Sequence, residues 1–229
     1  MNKILFTAAE QEELDCAKYA YKIYAQKLPD LEVDFMLTGI GTTSTCYRLT
    51  KQILQANAEG KPYNLIINVG IAGSYDLEKF PIGSAAIIKK EYFGDLGFET
   101  MFGFQTLFEY DLLDADVFPY KSGALNLQPT PYQNIEKLLE KYNKAVGVTV
   151  QTVTGNPAKV ENIYKQFNPN IESMEGAAVY YVCILEKIPF FELRTVSNKV
   201  GERDKSKWNI PLALDTLTSC CKDIFNSYL

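Results

Sequence analysis

The chain predicts an α/β protein, a three-layer α/β/α sandwich around a central mixed sheet. Three observations carry this. Short apolar runs rich in branched residues alternate with amphipathic helical stretches along the whole chain. Two of those runs end in glycine-rich segments, where an open sheet would let a ligand approach its backbone closely. No internal repeat, low-complexity tract or linker breaks the alternation, so residues 1–229 read as one domain.

Lys3–Thr7 is expected to be the first strand. Gln11–Lys27 has a helical period and ends before Pro29. Val33–Leu37 is a second strand, and Gly39-Ile40-Gly41-Thr42 turns the chain into a helix over Ser44–Ala58. Asn64–Val69 is largely apolar and rich in branched residues, as a central strand should be. Gly70-Ile71-Ala72-Gly73-Ser74 follows it and is expected to be a turn, and Ala85–Lys90 is another strand. From Tyr92 to Pro131 the period is lost among Phe, Asp and Gly; loops and short strands are expected there, forming a lid or a subunit contact. Tyr132–Tyr142 is a helix, Ala145–Thr152 a strand and Pro157–Phe167 a helix with proline at its tolerated first position. Ile171–Met174 is a short strand, Ala177–Leu185 a small apolar buried helix, and Phe190–Val196 a strand begun after the turn at Pro189. Asn209 is placed to cap a last helix, Ile210–Asn226.

Composition bounds the chemistry. The 229 residues are 47% hydrophobic and 22% charged, with a net charge of −5. An acidic chain with scattered Lys and Arg has no electrostatic footprint for nucleic acid or an anionic membrane. No apolar run approaches a bilayer span, and the first residues lack a signal-peptide layout. The five cysteines, Cys16, Cys46, Cys183, Cys220 and Cys221, form no CxxC pair. They are expected to be reduced thiols in a cytoplasm, packed as small hydrophobes. Histidine is absent. That excludes Ser-His-Asp and Cys-His catalysis and any His-ligated metal, and leaves acid–base work to carboxylates, Lys, Tyr, amides or water.

Polar clusters stand at the ends of the predicted strands. Ser173-Met174-Glu175-Gly176 precedes the apolar helix; Arg194-Thr195-Val196-Ser197-Asn198 closes the strand after it and runs on to Arg203 and Asp204. A strand–helix–strand unit brings both clusters to one sheet edge. Glu175 is either an acidic group at a helix N-terminus or an acceptor for a ligand diol. Asn198 is either a turn former or an amide that meets a heterocyclic base. The acidic residues of Thr7-Ala8-Ala9-Glu10-Gln11-Glu12-Glu13 either complement a helix dipole or supply a general base.

Five segments in order, Thr7–Glu12, Thr38–Gly41, Asn68–Ser74, Ser173–Ala178 and Arg194–Asn198, resemble the nucleoside phosphorylase/nucleosidase family. The resemblance spans nearly the whole chain, and its most specific part is Met-Glu-Gly-Ala-Ala followed by Arg-x-x-Ser-Asn. It implies the nucleoside phosphorylase-like fold, a small nucleoside as substrate, no metal or other cofactor, and a homodimer or larger homo-oligomer. It also implies roles: Glu12 to activate water, with Glu10 as rival; Glu175 to bind the ribose hydroxyls, with Ser173 beside it and Met174 against the sugar; Arg194 to orient its polar neighbours; Ala72 and Gly73 to lie beneath the base. Asn198 replaces the Asp of adenine-specific members. An amide N–H can donate to the O6/N7 face of hypoxanthine, so Asn198 points to a 6-oxopurine. Gly94-Asp95-Leu96-Gly97 and Ser197–Asp204 narrow the resemblance to members that act on a hypoxanthine nucleoside bearing a benzoate. Arg203 is the preferred partner for that carboxylate, among Lys199, Lys205 and Lys207. The family's stacking aromatic has no counterpart near Thr154-Gly155-Asn156-Pro157-Ala158; Phe93, Phe98 and Phe102 are the candidates.

Overall fold

The structure is a computed structural model and describes residues 3–101 and 103–229. One mixed sheet contains β1 (Lys3–Ala8), β2 (Glu32–Leu37), β3 (Leu65–Ser74), β4 (Ala85–Phe93), β7 (Leu125–Asn126), β8 (Asn143–Thr149), β9 (Ile171–Ser173) and β10 (Phe190–Lys199). Strands β5 (Gly97–Thr100) and β6 (Gly103–Thr106) form a separate hairpin. The α-helices are α1 (Gln11–Tyr24), α2 (Thr42–Ala58), α3 (Gln133–Glu140), α4 (Pro157–Phe167), α5 (Gly176–Leu185) and α6 (Ile210–Asn226).

The connectivity of β3 organises the sheet. Along one edge β3 pairs in parallel with β10 from Ile66 to Ser74. Along the other it pairs first with β1, up to Asn68, and then with β9, from Gly73 onward. Strand β10 continues to β4, β4 to β8, and β8 to β9, so the circuit closes back on β3, while β1 and β2 extend from it as an open wing. Between Asn68 and Gly73 the two neighbours on that edge have parted. Backbone groups of β3 there must find partners other than a strand.

Alternation along the strands sends side chains to two apolar clusters. Ile4, Phe6, Ile67, Val69 and Leu193 pack with α1, α3 and α6. Leu5, Ile66, Ala86, Ile88 and Val196 pack with α2 and α5. Helix α4 covers a third, smaller cluster with Val148 and Val150. Helix α5 is apolar all round and buried on nearly every side, as its composition predicts.

Two segments differ from the sequence expectation. Gly70–Ser74 is not a turn but the second half of β3, and β10 runs three residues beyond Val196. Each is the other's ladder partner, with Arg194 opposite Gly70 and Thr195 opposite Ile71. Pairing between distant segments overrides a local composition that favours a turn. A register shift between Val196 and Asn198 marks a bulge at the end of β10, which re-aims the strand where the polar cluster lies.

Helix α6 is closed at its start by Asn209, whose side-chain oxygen accepts from Leu212 N at 3.2 Å, with proline in the first turn. Asn209→Ala is expected to lower unfolding free energy by about 1 kcal/mol. Urea denaturation should show this as a lower midpoint with an unchanged slope.

Candidate active site

A cavity of about 250 Å³ opens where β3 and β10 end, and it is walled by the start of α1, the approach to α5 and the loop after β10. Its most buried charged element is Arg194, which lies beneath the floor and is only 1% exposed. Its Nε donates to Glu192 Oε1 at 2.5 Å, and Nη2 lies 3.6 Å from Glu175 Oε2. Nη1 and Glu13 Oε1 both press on the Cα of Gly70, where a side chain would collide with the guanidinium and approach the carboxylate to 2.9 Å. Glycine is therefore required at this position so that the cation and Glu13 can cross β3. A buried cation is tolerable only when paired, and here three carboxylates share it.

Glu13 sits in the gap on the β3 edge. Its Oε1 accepts from Ile71 N at 2.9 Å, satisfying an N–H that no strand reaches, and its Oε2 accepts from Glu10 N at 3.1 Å. Burial pushes its carboxyl above the ordinary range, while Arg194 and the two N–H donors hold it back. It is thus a carboxylate that is anchored, faces the cavity and takes up a proton more readily than a solvated one.

Glu175 caps the entry to α5. Its Oε1 accepts from Gly41 N at 3.0 Å, where the positive φ of Gly41 turns the chain into α2. Its remaining acceptor capacity faces the cavity, beside Ser173, whose hydroxyl accepts from Gly176 N. Asn198, 7% exposed, has its amide oriented by neighbours: Oδ1 accepts from Ser197 Oγ at 2.8 Å, and Nδ2 donates to Lys199 O at 2.9 Å. The donor end keeps a second N–H for a ligand. Across the cavity, the Arg203 side chain packs on Gly155 and its guanidinium lies over Trp208, 5.2 Å from the ring centre.

The structure brings Ala72, Gly73, Ser173, Met174, Glu175, Asn198 and Arg203 together on the cavity wall, with Arg194 directly below. Glu12 is not among them: its side chain is exposed on the outer face of α1. Glu10 touches the wall but is exposed, and its backbone serves Glu13. The inward acid is Glu13, which shares the buried face of α1 with Leu14, Ala17 and Ala20. That phase was available in the apolar spacing, where Glu13, Ala17 and Ala20 stand one and two turns apart. Phe93 lines a different cavity with Cys46 and Tyr120, Phe98 stacks on Tyr110, and Phe102 lies outside the described residues. Trp208 is the aromatic ring in the cavity wall, and it is the chain's one tryptophan. Of the other basic residues at and beyond the end of β10, Lys207 is paired with Glu202, and Lys199 lies on a neighbouring groove rather than on this cavity.

Known proteins resemble this chain in sequence and in fold. A futalosine hydrolase from Streptomyces coelicolor is 29% identical over 198 residues, covering 86% of this chain and 79% of that one. A 5'-methylthioadenosine/S-adenosylhomocysteine nucleosidase from Desulfotalea psychrophila is 27% identical, covering 84% of this chain and 76% of its own. In fold, the chain superposes on a futalosine hydrolase mutant from Helicobacter pylori with a TM-score of 0.78, at 17% identity and full coverage of both chains. The sequence model of the phosphorylase superfamily matches residues 5–226, nearly the entire length. With its sheet, its cavity and its paired carboxylates arranged as described, the chain belongs to the phosphorylase superfamily.

Proposed function

We propose that this protein hydrolyses the N-ribosidic bond of futalosine, releasing hypoxanthine and dehypoxanthine futalosine, in the futalosine route to menaquinone. The observation that carries the proposal is Asn198, whose amide lines the cavity together with Glu13 and Glu175 and whose Nδ2, donating to Lys199 O, keeps a second N–H for a base. In this reading the bond from the anomeric carbon to the purine nitrogen breaks, and its electron pair passes to the base, which takes up a proton from solvent to leave as hypoxanthine while Glu13 later returns to solvent the proton it removes from water. The sugar becomes oxocarbenium-like, as in glycosyl cleavage generally. Glu13 takes a proton from the water that attacks the anomeric carbon, replacing Glu12 in the role expected of it. Glu175 accepts from the ribose hydroxyls, Met174 packs on the sugar, and Ala72 and Gly73 lie under the base. Asn198 donates to the O6/N7 face as charge builds there.

Hydrolysis is favoured over phosphorolysis by the charge on the wall. Among the described residues Arg203 is its one Lys or Arg; Arg194 is committed to carboxylates below, and Arg48 is exposed on α2, off this cavity. Arg203 on Trp208 supplies a cation and an aromatic face, suited to the benzoate of the substrate. The five free cysteines agree with a cytoplasmic protein. The same reading takes the chain as one domain with a three-layer α/β/α arrangement that forms a homo-oligomer, and the exposed apolar side chains Tyr47 and Leu54 on α2 and Met101, Leu112 and Phe118 of the 92–131 region support a contact between copies.

Chromatography of products from futalosine, methylthioadenosine and inosine, each with and without phosphate, tests the proposal. Hypoxanthine from futalosine without phosphate is the expected result. Adenine release, or a strict need for phosphate, would assign a different member activity. Glu13→Gln is expected to lower turnover by about 10²–10⁴-fold, while a substrate analogue still binds in calorimetry; Glu12→Gln should retain turnover. Because Glu13 must be ionised to act and its proton affinity is raised, kcat/KM should fall with decreasing pH from above the ordinary carboxylate range. A pH–rate profile flat down to that range would remove Glu13 from the role. Asn198→Asp is expected to cost about 10²–10³-fold in hypoxanthine release, the loss of one donor to developing charge.

A further inference from the structure

Two carboxyl groups meet below the cavity, and no step of the hydrolysis uses them. Glu91 on β4 and Glu192 on β10 are 1% and 0% exposed. Both press on Gly176, the first residue of α5: a Cβ there would come within 2.5 Å of Glu91 Oε1 and 2.8 Å of both Glu192 oxygens. A Cβ at Gly147 on β8 would also strike Glu91 Oε1. Side chains are thus omitted on two elements to make room for the pair. Glu91 Oε2 accepts from Thr149 Oγ1 at 3.0 Å, and that hydroxyl accepts from Ala177 N at 2.7 Å. Thr149 therefore serves one oxygen of Glu91, and the other, Oε1, lies on the Glu192 side. Glu192 Oε1 is held by Arg194 Nε, while Oε2 lacks a well-formed hydrogen bond, with the Asn68 amide of β3 as its neighbour.

The surrounding charges do not balance if every acid is ionised. Arg194 is the one cation among Glu13 of α1, Glu175 at the start of α5, Glu91 and Glu192. Tyr180 of α5 donates its hydroxyl to Ile88 O and neutralises nothing. Four carboxylates around one guanidinium out of water would leave buried charge uncompensated. Burial and the charge of Glu192 push the Glu91 carboxyl well above the ordinary range; Glu192 is raised by burial but opposed by its contact with Arg194.

We propose that Glu91 and Glu192 are positioning residues sharing one proton, with Glu91 the neutral acid donating to Glu192, and that Glu192 thereby sets how much of the Arg194 charge acts on Glu13. The second half rests on Glu13 being the base; the shared proton does not. With Glu192 ionised, Arg194 is partly compensated, and Glu13 keeps the raised proton affinity that a base working near neutrality needs. Without that charge, the full field of Arg194 falls on Glu13, which becomes a weaker base.

Infrared difference spectroscopy between the wild-type protein and Glu91→Gln at neutral pH reads the shared proton. A protonated-carboxyl carbonyl band present in the wild type and lost in the variant is expected; no such band would mean that Glu91 is ionised and would overturn the proposal. The coupling is read from pH–rate profiles with futalosine. Glu192→Gln is expected to move the acidic limb of kcat/KM down by about one pH unit, the effect of one nearby charge, and to lower the plateau. A lowered plateau with an unmoved limb is the signature of a merely structural residue and would overturn the coupling. Glu91→Gln should recover most of the turnover that Glu91→Leu loses, because an amide donates to Glu192 as the acid does; equal losses would overturn the pair. Should Glu192→Gln fail to fold, the two Glu91 variants and the infrared band still decide the matter. Should Glu13→Gln retain turnover, the base assignment falls and the infrared result stands apart from it.

Discussion

The cation buried at Arg194 is the constraint on which the site depends. A guanidinium without water must be surrounded by acceptors, and the chain supplies them from three directions: Glu192 two residues earlier on the same strand, Glu175 at the start of α5, and Glu13 from α1 across β3. Each of these acids comes from a different stretch of sequence, and each is held where Arg194 requires it. Glu13 and Glu175 on the cavity wall are therefore tied through one group, at a separation set by the guanidinium rather than by flexible side chains. Preorganisation of this kind lets a site without histidine act on charge as it develops.

The fold prepares the place for that cation. Strand β3 keeps β10 along one edge but exchanges β1 for β9 along the other, and the exchange leaves a short stretch of backbone without a strand partner. Glu13 fills it by accepting from Ile71 N. A structural need of the sheet and a chemical need of the site are met by the same carboxylate. The closed circuit of strands also explains the glycines. Gly70 and Gly176 stand where side chains from opposite elements converge, and a methyl group at either would displace a charged partner.

Polar groups of the site are oriented by backbone as much as by each other. Gly41 N fixes Glu175, Gly176 N fixes Ser173, and Lys199 O with Ser197 Oγ fixes the sense of the Asn198 amide. An amide oriented this way presents a donor where an ionised aspartate would present only acceptors. Arg203 and Trp208 lie on the opposite wall, the guanidinium over the ring and the indole N–H donating to Glu202 O in the loop after β10.

The sequence by itself determined the alternation of elements and singled out residues that the fold gathers on one cavity wall, Glu175 and Asn198 among them. Helices α4 and α6 begin and end where period and caps indicated, because proline, asparagine and apolar spacing act locally. Glu175 and Asn198 were legible because they sit in short motifs at strand ends. What only the tertiary structure decided involves contacts between distant segments. The Gly70–Ser74 stretch became strand because β10 pairs with it. The apolar spacing of α1 carried the phase that turns Glu13 inward, but only the fold showed that this face meets the gap in β3 and places Glu13, not Glu12, on the cavity wall. Trp208 joined the cavity through the loop after β10, and Glu91 and Glu192 met at Gly176 from strands a hundred residues apart in sequence. Local patterns specify elements through interactions within a few residues. Burial and charge pairing arise between elements, and those decided which acids in this chain gather around its buried cation.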